Sequence, residues 1–309
     1  MCFLLKSWKL LKMAMLDTNL LNSLTSTENV EFSFTTKDLS VISKIMMDEA
    51  GIVLSESKAS LIYSRLAKRV RHLGLSNFSE YCEIIQGSKE NNERQELVAA
   101  LTTNVTRFFR EPHHFEHMRK KVLPDLIRRA KSGQRVRLWS AACSSGQEPY
   151  SIALTLLQEM PDAAKYDIRI LATDIDPNIL KIADSGVYDK RQLEPVSNRI
   201  RCEWFKPLTD CSGGWQVKPE LRQLITFRHL NLIGKWPMTR KFDVIFCRNV
   251  VIYFDNRTQE TIWSRFIPLI EQNRFLYIGH SERVSGAAER YFASDGVTIY
   301  RALSDEVPG

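Results

Sequence analysis

Apolar positions change their period along this chain. From Thr36 to about Thr103 they recur every three or four residues: Ile42, Ile45, Met46 and Ala50, then Ile62, Leu66, Val70 and Leu73, then Phe78, Tyr81, Ile84 and Ile85, then Leu97, Val98 and Leu101. That spacing lines one face of each of four successive helices. Ser55 is expected to cap the second, Gly74 to close it, and Gly87 to close the third. From Gln134 the texture shifts to short apolar runs of strand length: RVRLWSAA, IRILATDI, FDVIFCRN and RFLYIGHS. Helical stretches at 149–159, 177–184 and 258–271 separate them. Strands alternating with helices predict a parallel sheet with crossover helices. GVTIYRAL reads as a last strand paired with a segment near 291–293. The rhythm breaks at 187–230, where WFKP, WQVKP and LITFRHL, around a turn at Ser212-Gly213-Gly214, read as three short antiparallel strands inserted into the α/β unit. The expected organisation is therefore an extension at 1–35, a helical domain at 36–103, a linker and domain start at 104–133, an α/β domain at 134–303 carrying the insertion, and a tail at 304–309.

Composition narrows this only slightly. With 309 residues, 44% hydrophobic and 26% charged, the chain is ordinary globular material of about two domains, at about 150 residues each. It contains no apolar run long enough for a membrane-spanning helix. Residues 1–16 are broken by Lys6, Lys9 and Lys12, so they do not form a signal-peptide core. They read as a frayed extension, with a small amphipathic helix as the alternative. The six cysteines, at 2, 82, 143, 202, 211 and 247, include no CxxC pair. Buried thiols in a reduced, cytoplasmic protein are expected. The net charge of +7 suits an acidic partner or simple solubility.

Candidate chemistry sits at the ends of the expected strands. In Trp139–Tyr150, WSAACSSGQEPY, a strand runs into small residues and then a helix. Small residues let a ligand approach the backbone, and the helix N-terminus offers free N–H groups. With Gly146 alone this is neither GxGxxG nor a P-loop. The strand Ile168–Thr173 ends in Asp174 and Asp176. An acid there can accept both ribose hydroxyls, while Asp176, before Pro177, suits a helix N-cap. The strand at FDVIFC brings Asn249 and Tyr253 over the same sheet edge, where turn chemistry and core packing are the plain alternatives. NVTRFFRE (104–111) joins the two regions and places Arg110 beside two aromatics.

Taken together, NVTRFFRE, WSAACSSGQEPYSIAL, ATDID, the NL pair at 231–232, CRNVVIYF and GHSE (279–282) resemble the CheR family, the chemotaxis-receptor glutamate O-methyltransferases that use S-adenosylmethionine. The resemblance covers about residues 37–303. It implies a Rossmann-like class I methyltransferase fold with an all-α N-terminal domain and a small antiparallel β-subdomain. It also implies transfer of a methyl group from S-adenosyl-L-methionine to receptor glutamates, leaving S-adenosyl-L-homocysteine, with no metal. Matched by motif, the cofactor residues are Asn104, Thr106, Arg110, Glu148, Asp174, Asn231, Leu232, Asn249 and Val250. Arg110 and Tyr253 are expected to orient carboxylate and methyl donor. Where the family often has a glutamate before the matched Glu148, this chain has Gln147.

The implied partner is the glutamate-rich cytoplasmic helical domain of chemoreceptors. Lys58, Arg65, Lys68, Arg69 and Arg71 form a basic face, with no acid after Glu56, that suits it. Some family members also hold a receptor C-terminal peptide by strand addition at the β-subdomain; the match here is loose, and the sequence leaves that partner open. A second basic run, Arg119 to Arg137, reads as a surface face. His113, His114 and His117 lack the glutamate of HExxH and read as structural, and His280 follows a strand end near the site. Two other functions are weighed. An RNA methyltransferase would need a base-stacking module that is not seen, and nucleic acid is not an expected partner. A non-catalytic cofactor-binding adaptor would predict damaged motifs, and these are intact.

Overall fold

The computed structural model describes residues 31–87, 92–209 and 213–303. Residues 1–30 of the extension expected at 1–35, with Cys2, and also Cys211, Ser212 and the tail at 304–309 lie outside these residues; residues 31–35 are instead part of the helical unit, with Phe32 buried and the Phe34 ring 4.7 Å from that of Phe78. The chain divides between Leu101 and Thr102 into two compact units.

The first unit is helical. Helix α1 (Thr36–Ala50) begins with a reciprocal cap between Thr35 and Asp38 and ends at Gly51, whose φ of 69° is left-handed. Helix α2 (Ala59–His72) follows a 3-10 turn at Glu56–Lys58. Ser55 does not cap it; the Ser55 hydroxyl meets that of Ser57 instead, at 2.8 Å. Helices α3 (Phe78–Gln86) and α4 (Asn92–Leu101) complete the unit. Ile42, Met46, Ile62, Leu66, Val70, Phe78, Tyr81, Ile85 and Leu97 are fully buried where these helices pack together.

The basic face of α2 is partly consumed inside this unit. Arg69 grips Glu93 of α4 with two hydrogen bonds of 2.6 Å. Arg65 donates to the Leu101 carbonyl at 2.9 Å, and Arg71 pairs with Glu31. The pairing acids lie outside the run that was read as uniformly basic. Lys58 and Lys68 are exposed.

The second unit is built on a seven-stranded mixed sheet, in spatial order β6-β2-β1-β7-β8-β10-β9. Its strands are β1 (Val136–Ala141), β2 (Ile168–Asp174), β6 (Ile225–His229), β7 (Phe242–Cys247), β8 (Ile270–Ile278), β9 (Phe292–Gly296) and β10 (Ile299–Ala302). The strands β6, β2, β1, β7 and β8 run parallel; β10 pairs antiparallel with β8 and with β9. A three-stranded antiparallel sheet is formed by β3 (Val187–Tyr188), β5 (Trp215–Val217) and β4 (Phe205–Pro207). Helices α5 (Pro112–His117), α6 (Leu123–Lys131), α7 (Gln147–Glu159), α8 (Pro177–Ser185), α9 (Asn198–Trp204), α10 (Pro219–Arg222) and α11 (Asn256–Phe266) connect or cover the strands.

Two expectations from the sequence are corrected. LITFRHL does not belong to the small sheet: it supplies β6, parallel to β2 from Ile170↔Ile225 to Asp174↔His229. The third strand of the small sheet is Val187–Tyr188. The crossover from β2 to β6 starts with α8, which packs on both strands, and passes through the small sheet and the short helix α10, so the chain re-enters the main sheet with Ile225 and Phe227 buried on one face. The helix expected over 258–271 ends at Phe266, because Pro268 cannot donate the next helical hydrogen bond, and β8 has begun by Ile270. The predicted β9–β10 pairing and the Asp176 cap are present.

Cys82, Cys143 and Cys247 are buried, whereas Cys202 is exposed. Most of the second basic run is paired in place: Arg119 meets Glu159, Lys120 Glu116, Lys121 Asp295, Arg128 Asp125, Arg129 Asp243 and Arg137 Asp167. Among the described residues no helix is long and apolar enough to cross a membrane.

Candidate active site

Neighbours β1 and β7 mark the point where the strand order reverses. From β1 the chain winds outward to β2 and β6, then returns to β7 on the other side. A crevice opens outside the carboxyl ends of the strands at such a point, and ligands bind there. Three loops around it carry strained backbone. Phe109 and Glu111, Ala142 and Ser144, and Asn249 all have φ between 51° and 62°, and Gly146 reaches 92°. Left-handed backbone costs a non-glycine residue about 1–3 kcal/mol and concentrates at functional sites.

On the β2 side, Asp174 ends its strand buried. Its Oδ2 accepts from the Ser144 N–H at 2.8 Å and its Oδ1 from the Asp176 N–H at 3.0 Å. Among the described residues no Lys or Arg pairs with it. Burial pushes its carboxyl up to about 6, against the pull of those backbone N–H groups. Asp176 caps α8 through the Asn178 and Ile179 N–H groups and also accepts from Asn104 Nδ2 at 3.1 Å. The Ser144 hydroxyl donates to the Asn104 carbonyl at 2.9 Å. The strained loop after β1, the end of β2 and the NVTRFFRE segment are thus tied together. Beyond β6, Asn231 folds its side chain onto the Ile233 N–H at 3.1 Å. Leu232 is buried, and its carbonyl accepts from Arg265 and Trp236.

On the β7 side the charges are paired. Arg248, 5% exposed, reaches Glu148 at 3.1 Å and Glu111 at 3.2 Å, and also donates to the Arg110 carbonyl. Glu148, in the first turn of α7, accepts from the Ser140 hydroxyl at 2.7 Å. Burial raises the Glu148 carboxyl, with Arg248 and Ser140 opposing it. Burial would also raise Glu111, but Arg248 and the His280 hydrogen bond outweigh it and hold Glu111 at about 2. Glu111 accepts from the His280 backbone N–H and from Asn249 Nδ2. Asn249, Val250 and Tyr253 follow on the turn after β7 and are half-buried, as are Thr106 and Arg110, whose guanidinium donates to the Val105 carbonyl at 3.1 Å.

Sequence reasoning did not single out Arg248, Glu111 or Glu282. All three were inside quoted motifs; nothing in the spacing of Arg248 and Glu111 shows that one guanidinium bridges two acids. The histidines of α5 are structural. His114 Nε2 lies 2.9 Å from Thr298 Oγ1, His117 Nδ1 lies 2.8 Å from the Tyr277 hydroxyl, and burial keeps His114 neutral, at about 3.

The donor set can be tested against a nucleoside-bearing cation. Four carboxylates, on Glu111, Glu148, Asp174 and Asp176, gather near the switch point, and Arg248 is the buried cation among them. Two of them, Asp174 and Asp176, pair with no Lys or Arg among the described residues; Asp176 is engaged as the α8 cap and by Asn104, which leaves Asp174 as the uncompensated acid at the strand end. This set fits a ligand that brings positive charge and hydroxyl donors.

Sequence comparisons agree with this geometry. The CheR methyltransferase SAM-binding domain matches residues 104–300, and the CheR all-alpha domain matches residues 37–102. A probable chemotaxis protein methyltransferase of Rhizobium etli is 56% identical, over 83% of this chain and 96% of that protein. Chemotaxis protein methyltransferase 2 of Pseudomonas aeruginosa is 41% identical, over 88% and 95%. The chemotaxis protein methyltransferase of Escherichia coli is 40% identical, over 85% and 90%. The matched SAM-binding domain and these relatives make the chain an S-adenosylmethionine-dependent methyltransferase. More narrowly, the chain belongs to the CheR methyltransferase family.

Proposed function

We propose that this protein methylates glutamate side chains on the cytoplasmic helical domain of chemoreceptors, giving glutamate methyl esters and S-adenosylhomocysteine, as the transfer step of sensory adaptation. The observation that carries the reading is Asp174: a buried carboxylate at the end of β2, held by backbone N–H groups and left without a cation. It accepts the two ribose hydroxyls. Glu148 faces the cofactor's amino group, Asn231 the adenine edge, and Asn104, Thr106, Leu232, Asn249 and Val250 complete the cradle. Bound S-adenosylmethionine supplies a methyl group activated by its sulfonium.

A glutamate acceptor has a pKa near 4.3 and is a carboxylate at neutral pH, so no general base is needed. Arg110 and Tyr253 then act by orientation: the guanidinium fixes the carboxylate and the phenol aligns it with the methyl group. Well-oriented reactants can gain about 7–11 kcal/mol in this way. For receptor docking, the exposed Lys58, in the turn before α2, and Lys68, on α2, are the cations that this reading uses first, since Arg65, Arg69 and Arg71 have partners within their own unit.

The test is transfer of labelled methyl from S-adenosylmethionine to receptor-bearing membranes, followed by mild base. Label released as methanol is the expected result, and Tyr253→Phe should lower turnover more than cofactor affinity. Base-stable label, or label in RNA, would replace the reading with another transferase class.

A further inference from the structure

Among the motifs quoted from the sequence, GHSE has no assigned work, and its glutamate has an unusual set of partners. Glu282 Oε1 accepts from the backbone N–H of Val250 at 2.9 Å and of Val251 at 2.7 Å. Its Oε2 accepts from Asn249 N–H at 2.8 Å and from Gly279 N–H at 2.5 Å. One carboxylate therefore holds three successive N–H groups of the turn after β7 and the first N–H after β8. The turn needs such a clamp, because Asn249 sits at φ 59°, outside the backbone region most residues prefer. The motif's glycine makes the approach feasible. A Cβ on Gly279 would stand 2.7 Å from the Asn249 nitrogen and 2.8 Å from Glu282 Oε2, and closer still to Asn249 Nδ2.

We infer that Glu282 is a positioning residue of the methyltransferase site: it touches no substrate, and it sets the turn that presents Asn249 and Val250 to the cofactor and leads into Tyr253. The inference rests on the reading that Asn249 and Val250 face the cofactor. Its chemistry is one-sided. An amide at 282 keeps one acceptor oxygen but turns an NH₂ group toward backbone N–H donors, so at least two of the four lose their partner.

The experiment measures S-adenosylhomocysteine binding to the full chain by calorimetry, with thermal unfolding alongside, for the wild type, Glu282→Gln, Asn249→Ala and the double variant. Glu282→Gln should weaken binding about ten-fold or more, the effect of losing hydrogen bonds to a charged group. Gly279→Ala should do the same by displacing the turn. Asn249→Ala should cost affinity in the wild type and little further in Glu282→Gln, because the clamp acts through that residue. Unchanged affinity in Glu282→Gln, or fully additive losses with a lowered unfolding temperature, would reduce Glu282 to a loop staple and overturn the inference. Because the readout is cofactor binding, failure of methyl transfer to receptors leaves it standing. A wild-type chain that does not bind S-adenosylhomocysteine would overturn it together with the reading it rests on.

Discussion

The two sides of the strand-order reversal manage buried carboxylates differently. At the β2 side Asp174 is held by two backbone N–H groups, and burial lifts its pKa to about 6. At the β7 side Glu111 and Glu148 share Arg248, and Glu111 falls to about 2. Two carboxylates that share one guanidinium are only partly compensated, which leaves Glu148 able to meet a cationic group of the ligand, whereas one held by dipoles alone keeps its full charge available. The β7 side is therefore a frame whose charge is partly offset from within. The β2 side is a site whose electrostatics are completed by what binds.

The largest effect should follow from breaking the frame. Arg248→Met leaves Glu111 and Glu148 buried without a cation and strips a donor from the Arg110 carbonyl. Removing one partner of a buried pair costs about 3–5 kcal/mol. In a unit of this size that lowers the unfolding temperature by roughly 10 °C. Part of the loss should return on mild acidification, as Glu148, already raised by burial, takes up a proton. A loss below about 1 kcal/mol would mean that the pair is not the frame described here.

Next in size is Asp174→Asn, which should leave the frame intact and damage the site. Two hydrogen bonds from ribose hydroxyls to a charged acceptor are at stake, each about 1.5–3 kcal/mol. S-adenosylhomocysteine affinity should fall about a hundred-fold, since every 1.4 kcal/mol is ten-fold. Thermal unfolding without ligand should change only modestly, because removal of a buried, unpaired charge is offset by the new NH₂ group, which leaves one of the two backbone N–H donors without a partner. A marked fall in ligand-free stability with unchanged affinity would reverse the roles assigned to the two sides.

The sequence shows these regions unequally. The acid at the end of β2 was legible because position along a strand and distance from the β1 loop are sequence properties. The Asp176 cap before Pro177 was legible for the same reason. The charge frame was not, because Arg248 meets Glu111 and Glu148 across 137 and 100 residues of chain, and only the sheet order joins them. The same limit explains α2: its arginines looked unopposed along the helix, yet Glu93 approaches Arg69 from α4. The run LITFRHL was read correctly as a strand and placed in the wrong sheet. Alternation gives a strand its faces, but says nothing about which neighbour completes its hydrogen bonds.

The smallest effect is also the most specific to the comparison. Between pH 7 and pH 5 the ligand's α-carboxyl and α-amino groups keep their charge, while Asp174 passes through its pKa of about 6. At pH 5 about a tenth of the ligand-free protein would carry the ionised form, so S-adenosylhomocysteine affinity should fall about ten-fold relative to pH 7. Stability moves the opposite way. Asp174's folded pKa lies above its ordinary value of 3.8, so the folded state binds this proton more tightly than the unfolded state. Its burial penalty therefore grows as pH rises from about 4 to about 6, and acidification relieves it. Affinity falling while this contribution to ligand-free stability rises is the signature of a charge kept uncompensated for a ligand. Calorimetric affinities and melting temperatures across that range, for the wild type and Asp174→Asn, would show it. The variant's affinity should be nearly flat with pH. An equally steep profile in the variant would move the titration to another carboxylate, Glu148 first, and shift the uncompensated charge to the β7 side.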